Sequence, residues 1–481
     1  MTPENRNLIM AVALSMIVLL GWQMLVIQPE MEREAAYQER ITAEMAKSGT
    51  ATQSTGQPSV SAATGTPTVG GSATEPKVAE TVKRIVIDAP LVRGSFSVRG
   101  ARLDDVILTG YKKSLDEGSE NIHFLQKTNS DMPFFAEFGW SSSDKKQPMP
   151  NADSLWSADR DVLSPSTPVT LTWENGQGLT FSRRISINDD YLFTFEDSVT
   201  STLASDVTLY PYGLVRRHGT PATTGMYILH EGPLGVFDET LKEEDYADLR
   251  DAGANGIKVI PETAGGWVGI TDKYWLAALL PTQTKGYNFG FQALAGDSDR
   301  YQVDFIDPRG MLLTKGGTVT SQSRLFAGAK KVALLDHYAD QLSIPNFDLA
   351  IDFGWFYFLT KPFFYAINWL NGILGNFGLA IIGFTCLMRL VLFPLANKSY
   401  RSMGKMKELA PKIQKMREDY GSDRTRLNQE MMALYKTEKV NPAAGCLPIL
   451  LQIPIFFALY KVLYVSLEMR HAPFFGWIKD L

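Results

Sequence analysis

Cysteine is nearly absent: Cys386 and Cys446 are the only two in 481 residues. Both fall in apolar stretches and there is no C-x-x-C, which excludes a disulfide scaffold. Histidine is also scarce, and the four in the central region (His123, His218, His230, His337) show no H-E-x-x-H or similar metal spacing. There is no G-x-x-x-x-G-K-[ST] phosphate loop. No catalytic residue, metal or cofactor is therefore expected. From Ser48 to about Glu80 large apolar side chains are missing, so this stretch cannot bury enough surface to fold and reads as a flexible tether. Charged residues make up 21% of the chain and its mean hydropathy is −0.08. Such values exclude a chain that is membrane-embedded throughout. They fit a membrane protein that carries a large soluble part.

What is present is sharply divided. Gln28 to Asp352 holds 30 basic and 43 acidic residues, a net of −13. Asn397 to Asn441 holds 11 basic and 6 acidic, a net of +5. A short basic loop between apolar runs places 397–441 in the cytoplasm and the long acidic segment outside.

Three apolar runs set the frame. Leu8 to Ile27 has no charge and is followed by Gln28-Pro29-Glu30 rather than an A-x-A-like cleavage site. It reads as a retained anchor (1–27) with its N-terminus inside. A polar helix and the tether follow (28–80). Phe377 to Asn397 is the second span and Ala443 to Leu467 the third, with Pro448 and Pro454 expected to kink it. Ala443-Ala444-Gly445-Cys446 is read as an ordinary helix start, and Lys461 as a residue snorkelling at the outer end. The chain then runs out over 468–481. Before the second span, 352–372 is densely aromatic but interrupted by Lys361-Pro362. It reads as an amphipathic helix on the outer membrane surface.

Between about Thr81 and Ile344, short alternating runs recur with turn residues between them, for example Val169 to Trp173, Leu179 to Phe181 and Tyr191 to Phe195. Asn175-Gly176 and Asn188-Asp189-Asp190 read as hairpin turns. The pattern predicts one large antiparallel β-sandwich over 81–344, with helical pieces at Leu241–Leu249 and Lys330–Gln341. Arg216-Arg217-His218-Gly219 is its most site-like cluster, read as surface or structural. After Asn397, Met403, Met406, Leu409, Ile413 and Met416 recur at intervals of three and four. So do Leu427, Met431, Leu434 and Tyr435, with Asp423 as an N-cap between the sets. This predicts a paired helical hairpin over 398–441 whose exposed basic residues suit anionic lipid or a partner such as a ribosome. The fold class is thus a polytopic α-helical membrane protein with a large extracytoplasmic antiparallel β-sandwich domain and a cytoplasmic helical hairpin.

One residue stands out. Arg389 lies inside the second span, where a charge costs on the order of 3 kcal/mol on insertion scales. Thr385 lies one turn earlier on the same helical face. Two readings are open: Arg389 faces a wet cavity, or it snorkels to the cytoplasmic headgroups and only fixes topology.

The strings Leu387-Met388-Arg389, Gly404-Lys405-Met406, Ala410-Pro411-Lys412-Ile413-Gln414, Gln429 to Lys436 and Glu438-Lys439-Val440-Asn441-Pro442 resemble the YidC-type membrane protein insertases of Gram-negative bacteria. Weaker similarity extends over essentially the whole chain. The resemblance implies a periplasmic sandwich of a sugar-binding-like type, largely dispensable for insertion, in a multi-pass protein of the inner membrane. It implies that Arg389 is the groove arginine, and that Thr385 and Gln452-Ile453-Pro454 line the path along which a substrate slides. Lys405, Lys407, Lys412, Lys415 and Arg417 of the hairpin are the expected partner contacts. The implied partners are nascent inner-membrane proteins, the Sec translocon, the ribosome or signal recognition components, and anionic lipids. No sequence-specific nucleic-acid binding is implied. Family members continue past the residue matching Leu481 with three more transmembrane helices and a basic tail. Two other readings of the whole chain stay open: a membrane-anchored periplasmic carbohydrate-binding protein or enzyme, and an assembly factor that acts only after another channel.

Overall fold

A computed structural model describes residues 82–221, 223, 229–251, 258–294, 299–420, 423–438, 440 and 447–481. The expected anchor and tether, and the start of the third span, lie outside these residues. The described residues fall into two compact units: 82–365 with 376–378 and 460–481, and 366–375 with 379–459.

The first unit is built on two sheets. One has eleven strands, running in spatial order 258–264, 286–293, 300–306, 207–218, 134–142, 103–112, 92–97, 84–88 and 162–163, with 311–313 and 121–125 paired alongside. The other has nine, in the order 240–243, 232–237, 267–271, 275–281, 318–329, 192–201, 179–187, 169–174 and 157–158. The alternation that predicted these strands is visible in Leu179–Ile187, where Leu179, Phe181, Arg183, Ile185 and Ile187 are buried and the residues between them are less so. The sheets face each other. Phe138 of one stacks on Phe195 of the other with ring centroids 4.1 Å apart. Arg183 reaches from the second sheet to donate to the Phe138 carbonyl of the first at 2.7 Å.

The expected turns form for local reasons. Asn175 Oδ1 accepts from the N–H groups of Gln177 and Leu179, at 2.8 and 2.9 Å. Asn188 Oδ1 does the same for Asp190 and Leu192, at 2.9 and 3.0 Å. These are side-chain mimics of a backbone turn. The second turn leaves Tyr191 at φ +70° with its ring buried. A Cβ on Gly328 would lie 2.2 Å from Tyr191 Cγ, so the strand beneath needs glycine there.

Two sequence expectations are corrected. Not every pairing is antiparallel: Val86 pairs with Val162 and Ile87 with Leu163 in parallel. The pair 162–163 is an edge strand reached by a long connection, so no hairpin turn dictates its direction. Nor is Leu241–Leu249 one helix. Thr240–Glu243 is a strand paired with Leu234–Phe237, and the helix α1 starts only at Tyr246 (Tyr246–Asp251). Cross-strand hydrogen bonds captured the first half of a segment whose composition reads as helical.

Asp105, near the start of Leu103–Lys112, accepts from Ser95 Oγ at 2.6 Å and lies 2.8 Å from His123 Nε2 and 3.4 Å from Lys127 Nζ. Burial works against its charged form, but these partners outweigh burial and hold the carboxyl down to about 2. A folded value below the ordinary one stabilises the fold above about pH 4, and that contribution is lost as pH falls towards 2. Melting the protein across pH 2–5 should show this slope, and Asp105→Asn should flatten it; an unchanged slope refutes the assignment.

Helix α2 (Val332–Leu342) closes the unit, as the expected helix at 330–341 does, and ends at Ser343 in a left-handed cap. A 3₁₀ turn follows at Phe347–Ala350, and then α3, Tyr357–Leu374. Asp352 to Phe356, read from sequence as the start of that helix, are outside it. Lys361-Pro362 does not interrupt α3, because Pro362 removes only the donor owed to the Phe358 carbonyl. Its first turns are tied to α2 and the 3₁₀ turn: Lys361 Nζ lies 2.8 Å from Asp336 Oδ1 and 2.6 Å from Asp348 Oδ2. Tyr357 and Tyr365 donate to Asp348 and Asp336.

The remaining helices are α4 (Phe377–Tyr420), α5 (Arg424–Thr437) and α6 (Leu447–Val465). α4 holds the expected second span and the first arm of the hairpin as one uninterrupted helix of 44 residues, about 66 Å at 1.5 Å per residue. Nothing breaks it at Asn397, because no proline or glycine stands between Asn397 and Met403 and the turn to polar side chains changes only the solvent, not the backbone. Pro448 does not kink α6 internally. It is the second residue of the helix, where the missing N–H would have had no partner. Only Pro454 lies in its interior.

Candidate functional site

Among the described residues, two helices are long and apolar enough to cross a membrane: α4, and Pro448–Val465 of α6. Only 11% and 17% of their most apolar windows are buried within the chain, unlike the core helix of a soluble protein. Leu390, Val391 and Phe393 of α4 are 71%, 65% and 62% exposed. Covering each such side chain is worth roughly 1.5–3 kcal/mol, so lipid or another apolar helix must lie against them.

Within this greasy surface, Thr385 and Arg389 are one turn apart. Thr385 Oγ1 donates to the Ile381 carbonyl at 2.8 Å, the usual way a hydroxyl is satisfied in an apolar helix. Arg389 is exposed and makes no hydrogen bond or ion pair among the described residues. On α6, Gln452 and Ile453 are exposed and Pro454 is half-buried. No hydrogen bond or ion pair joins Arg389 to these three among the described residues. The five candidates therefore stand as two clusters on separate helices, with Arg389, Gln452 and Ile453 exposed and Thr385 and Pro454 partly covered.

The basic candidates share one geometry. Lys405, Lys407, Lys412, Lys415 and Arg417 are all exposed on α4, while Leu409 is buried and Met406, Ile413 and Met416 are partly covered. On α5 the matching stripe of Leu427, Met431, Leu434 and Tyr435 is partly covered too. Asp423 caps α5 by accepting from Thr425 and Arg426 N–H at 3.1 and 3.0 Å. Lys412 is engaged with Glu438 at 2.7 Å, but Lys412 is largely exposed and Glu438 partly so, so the pair holds it weakly.

Arg216 and Arg217 prove to be internal. Arg216 binds Gln302 Oε1 through Nε and Nη2, and Arg217 lies 2.6 Å from Asp272. Sequence reading missed the charges that tie helices to the sandwich, among them Lys361 with Asp348 and Lys461 with Asp352. A lysine inside an apolar helix with a carboxylate just before another helix was the available signal.

The family model described as "YidC periplasmic domain" matches residues 84–366, and that described as "60Kd inner membrane protein" matches 369–481. A membrane protein insertase YidC from Granulibacter bethesdensis is 44% identical over 481 residues, covering 99% of this chain and 81% of that protein. The chain belongs to the YidC family of membrane protein insertases. The YidC of Rickettsia felis is likewise 44% identical, over 99% of this chain and 82% of its own length. Among solved structures, the galactose mutarotase related enzyme of Lactobacillus acidophilus covers 51% of this chain and 97% of its own. At 10% identity and a TM-score of 0.36 it is too distant to bear on the YidC sandwich or its ligands.

Proposed function

We propose that this chain inserts nascent membrane proteins into the bacterial inner membrane, with Arg389 as the charge that receives the substrate. Family membership supports the insertase activity. The observation that carries the role of Arg389 is an exposed guanidinium, without a partner among the described residues, amid exposed leucine, valine and phenylalanine on an apolar helix.

The physical problem is the polar flank of the substrate, which crosses an apolar slab at several kcal/mol per charged or unsatisfied group. A hydrophilic cavity around Arg389, open to the cytoplasm and to lipid, shortens that slab, and the cation attracts acidic residues in a short external tail. The substrate's own helix then slides past Thr385 and Gln452-Ile453-Pro454 into lipid, driven by apolar partition. The sandwich lies in the periplasm, α3 lies on the outer surface with its exposed aromatic residues in the headgroup layer, and the α4–α5 hairpin is cytoplasmic. Exposed Lys405, Lys407, Lys415 and Arg417, with the weakly held Lys412, meet the ribosome, signal recognition components or anionic lipid. Some substrates arrive from the Sec translocon.

Photo-crosslinkers placed at Thr385 and Ile453 test this in vesicles holding no other translocase. Crosslinks to a nascent single-span protein are expected from both positions. Crosslinks seen only when another channel delivers the substrate would replace the insertase reading with that of an assembly factor.

A further inference from the structure

The apolar helix α6 carries a single charge, Lys461, and the structure gives that charge a prepared seat. Lys461 Nζ lies 2.8 Å from Asp352 Oδ2, with the two side chains only 12% and 24% exposed. Asp352 is itself fixed. Its Oδ1 accepts from Gly354 N–H at 3.0 Å and its Oδ2 also accepts from His230 N–H at 3.2 Å. The lysine stem runs over Gly354, which sits at φ +71°, and a Cβ there would lie 3.3 Å from Lys461 Cε. Just beyond α6 the same unit makes a second grip. Arg470 Nη2 donates to the Lys112 carbonyl at 2.6 Å, and its guanidinium lies 5.7 Å from the Trp275 ring. Lys273 Nζ lies 3.9 Å from the Tyr464 ring centroid.

We propose that the Lys461–Asp352 pair is a positioning contact for insertion, which pins the C-terminal end of α6 in one axial rotation and one register. This rests on the insertase reading, in which α6 presents Gln452, Ile453 and Pro454 to the substrate. An apolar seat tolerates slippage by a turn, whereas an oriented carboxylate accepts the ammonium in one place, and a displaced partner leaves a desolvated charge. A helix held this way offers the substrate the same face in every cycle.

The test uses the full chain in vesicles, with a photo-crosslinker at Ile453 and a single-span reporter substrate. Lys461→Met keeps the side chain's shape and removes its charge. It should lower insertion about tenfold and move crosslinks from Ile453 to neighbouring positions. Asp352→Lys alone should do at least as much. The swap Asp352→Lys with Lys461→Asp should restore both yield and crosslink pattern. If Lys461→Met inserts normally with its crosslinks in place, or if the swap, folded to the same melting temperature, stays as impaired as Asp352→Lys, the positioning role is overturned. Absence of any Ile453 crosslink in the unaltered protein overturns the insertase path itself, and the proposal with it.

Discussion

Arg389→Ala is expected to cut insertion of substrates with acidic external tails about tenfold in reconstituted vesicles, while substrates with neutral tails change little. Tenfold corresponds to about 1.4 kcal/mol. That is a modest fraction of the attraction between two unit charges near 4 Å at an effective dielectric of 20, roughly 4 kcal/mol. A modest fraction is what the proposed hydrophilic cavity would leave, since water in it would screen the charge while the tail keeps its freedom. Arg389→Lys should retain most of the activity if charge alone matters. It should lose more if the guanidinium's planar fork holds a carboxylate bidentately. If the residue merely snorkels, Arg389→Ala leaves insertion intact for both substrate classes and alters only the fraction of molecules with the correct topology. Measuring yield against tail charge separates the two, since only a substrate-binding cation makes the loss depend on the tail.

The largest stability effect is expected at Arg183. Its side chain is 2% exposed and binds both oxygens of Asp197, at 2.7 and 3.0 Å, while its Nη2 also reaches the Phe138 carbonyl across the sandwich. Arg183→Ala leaves Asp197 desolvated and without its counter-charge. Breaking a buried pair from one side costs about 3–5 kcal/mol. For a unit of this size that lowers the melting temperature by about 10 °C. The neighbour Arg184 is an internal control. It pairs with Glu196 at a similar 2.9 Å, but the two side chains are 49% and 38% exposed, so Arg184→Ala should cost less than about 1 kcal/mol. Removing both buried partners, Arg183→Met with Asp197→Leu, should recover much of the loss. Equal melting temperatures for Arg183→Ala and Arg184→Ala would show that the inter-sheet contact contributes little.

These two arginines also mark how far sequence reading reaches. Alternation locates the start of the strand Leu179–Ile187, at Leu179 to Phe181, because the side-chain period of a strand is written in the residues themselves. It could not say that Arg183, an inward charge, is answered by Asp197 on the next strand and by a carbonyl on the other sheet. That answer depends on three-dimensional neighbours 14 and 45 residues away. The turns at Asn175 and Asn188 were legible because a single side chain bonds its own backbone. The strand Thr240–Glu243 was not, since its fate is decided by a partner strand. In the helical part, apolar length announced α4 and α6, and the periodic methionines and leucines announced the arms of the hairpin. The continuity of α4 across Asn397 was missed, because hydropathy registers a change of surroundings and backbone geometry does not follow it. Lys461 was read as a snorkelling residue for the same reason: its partner, Asp352, stands 109 residues earlier.

The unbroken course of α4 has a mechanical consequence. From Asn397 to Tyr420 the helix extends about 35 Å at 1.5 Å per residue, with no loop to absorb motion. It is a lever arm rigidly joined to the segment that bears Thr385 and Arg389. A pull at the Tyr420 end that tilts the rod by about 10° shifts that end by roughly 6 Å, and the part of the tilt that the prolines do not absorb reaches the Arg389 segment. Two prolines soften the rod between them: Pro394, which removes the donor owed to the Leu390 carbonyl, and Pro411, which removes the donor owed to the Lys407 carbonyl. A load on the hairpin is therefore felt at the arginine as a change of angle, with no conformational relay in between.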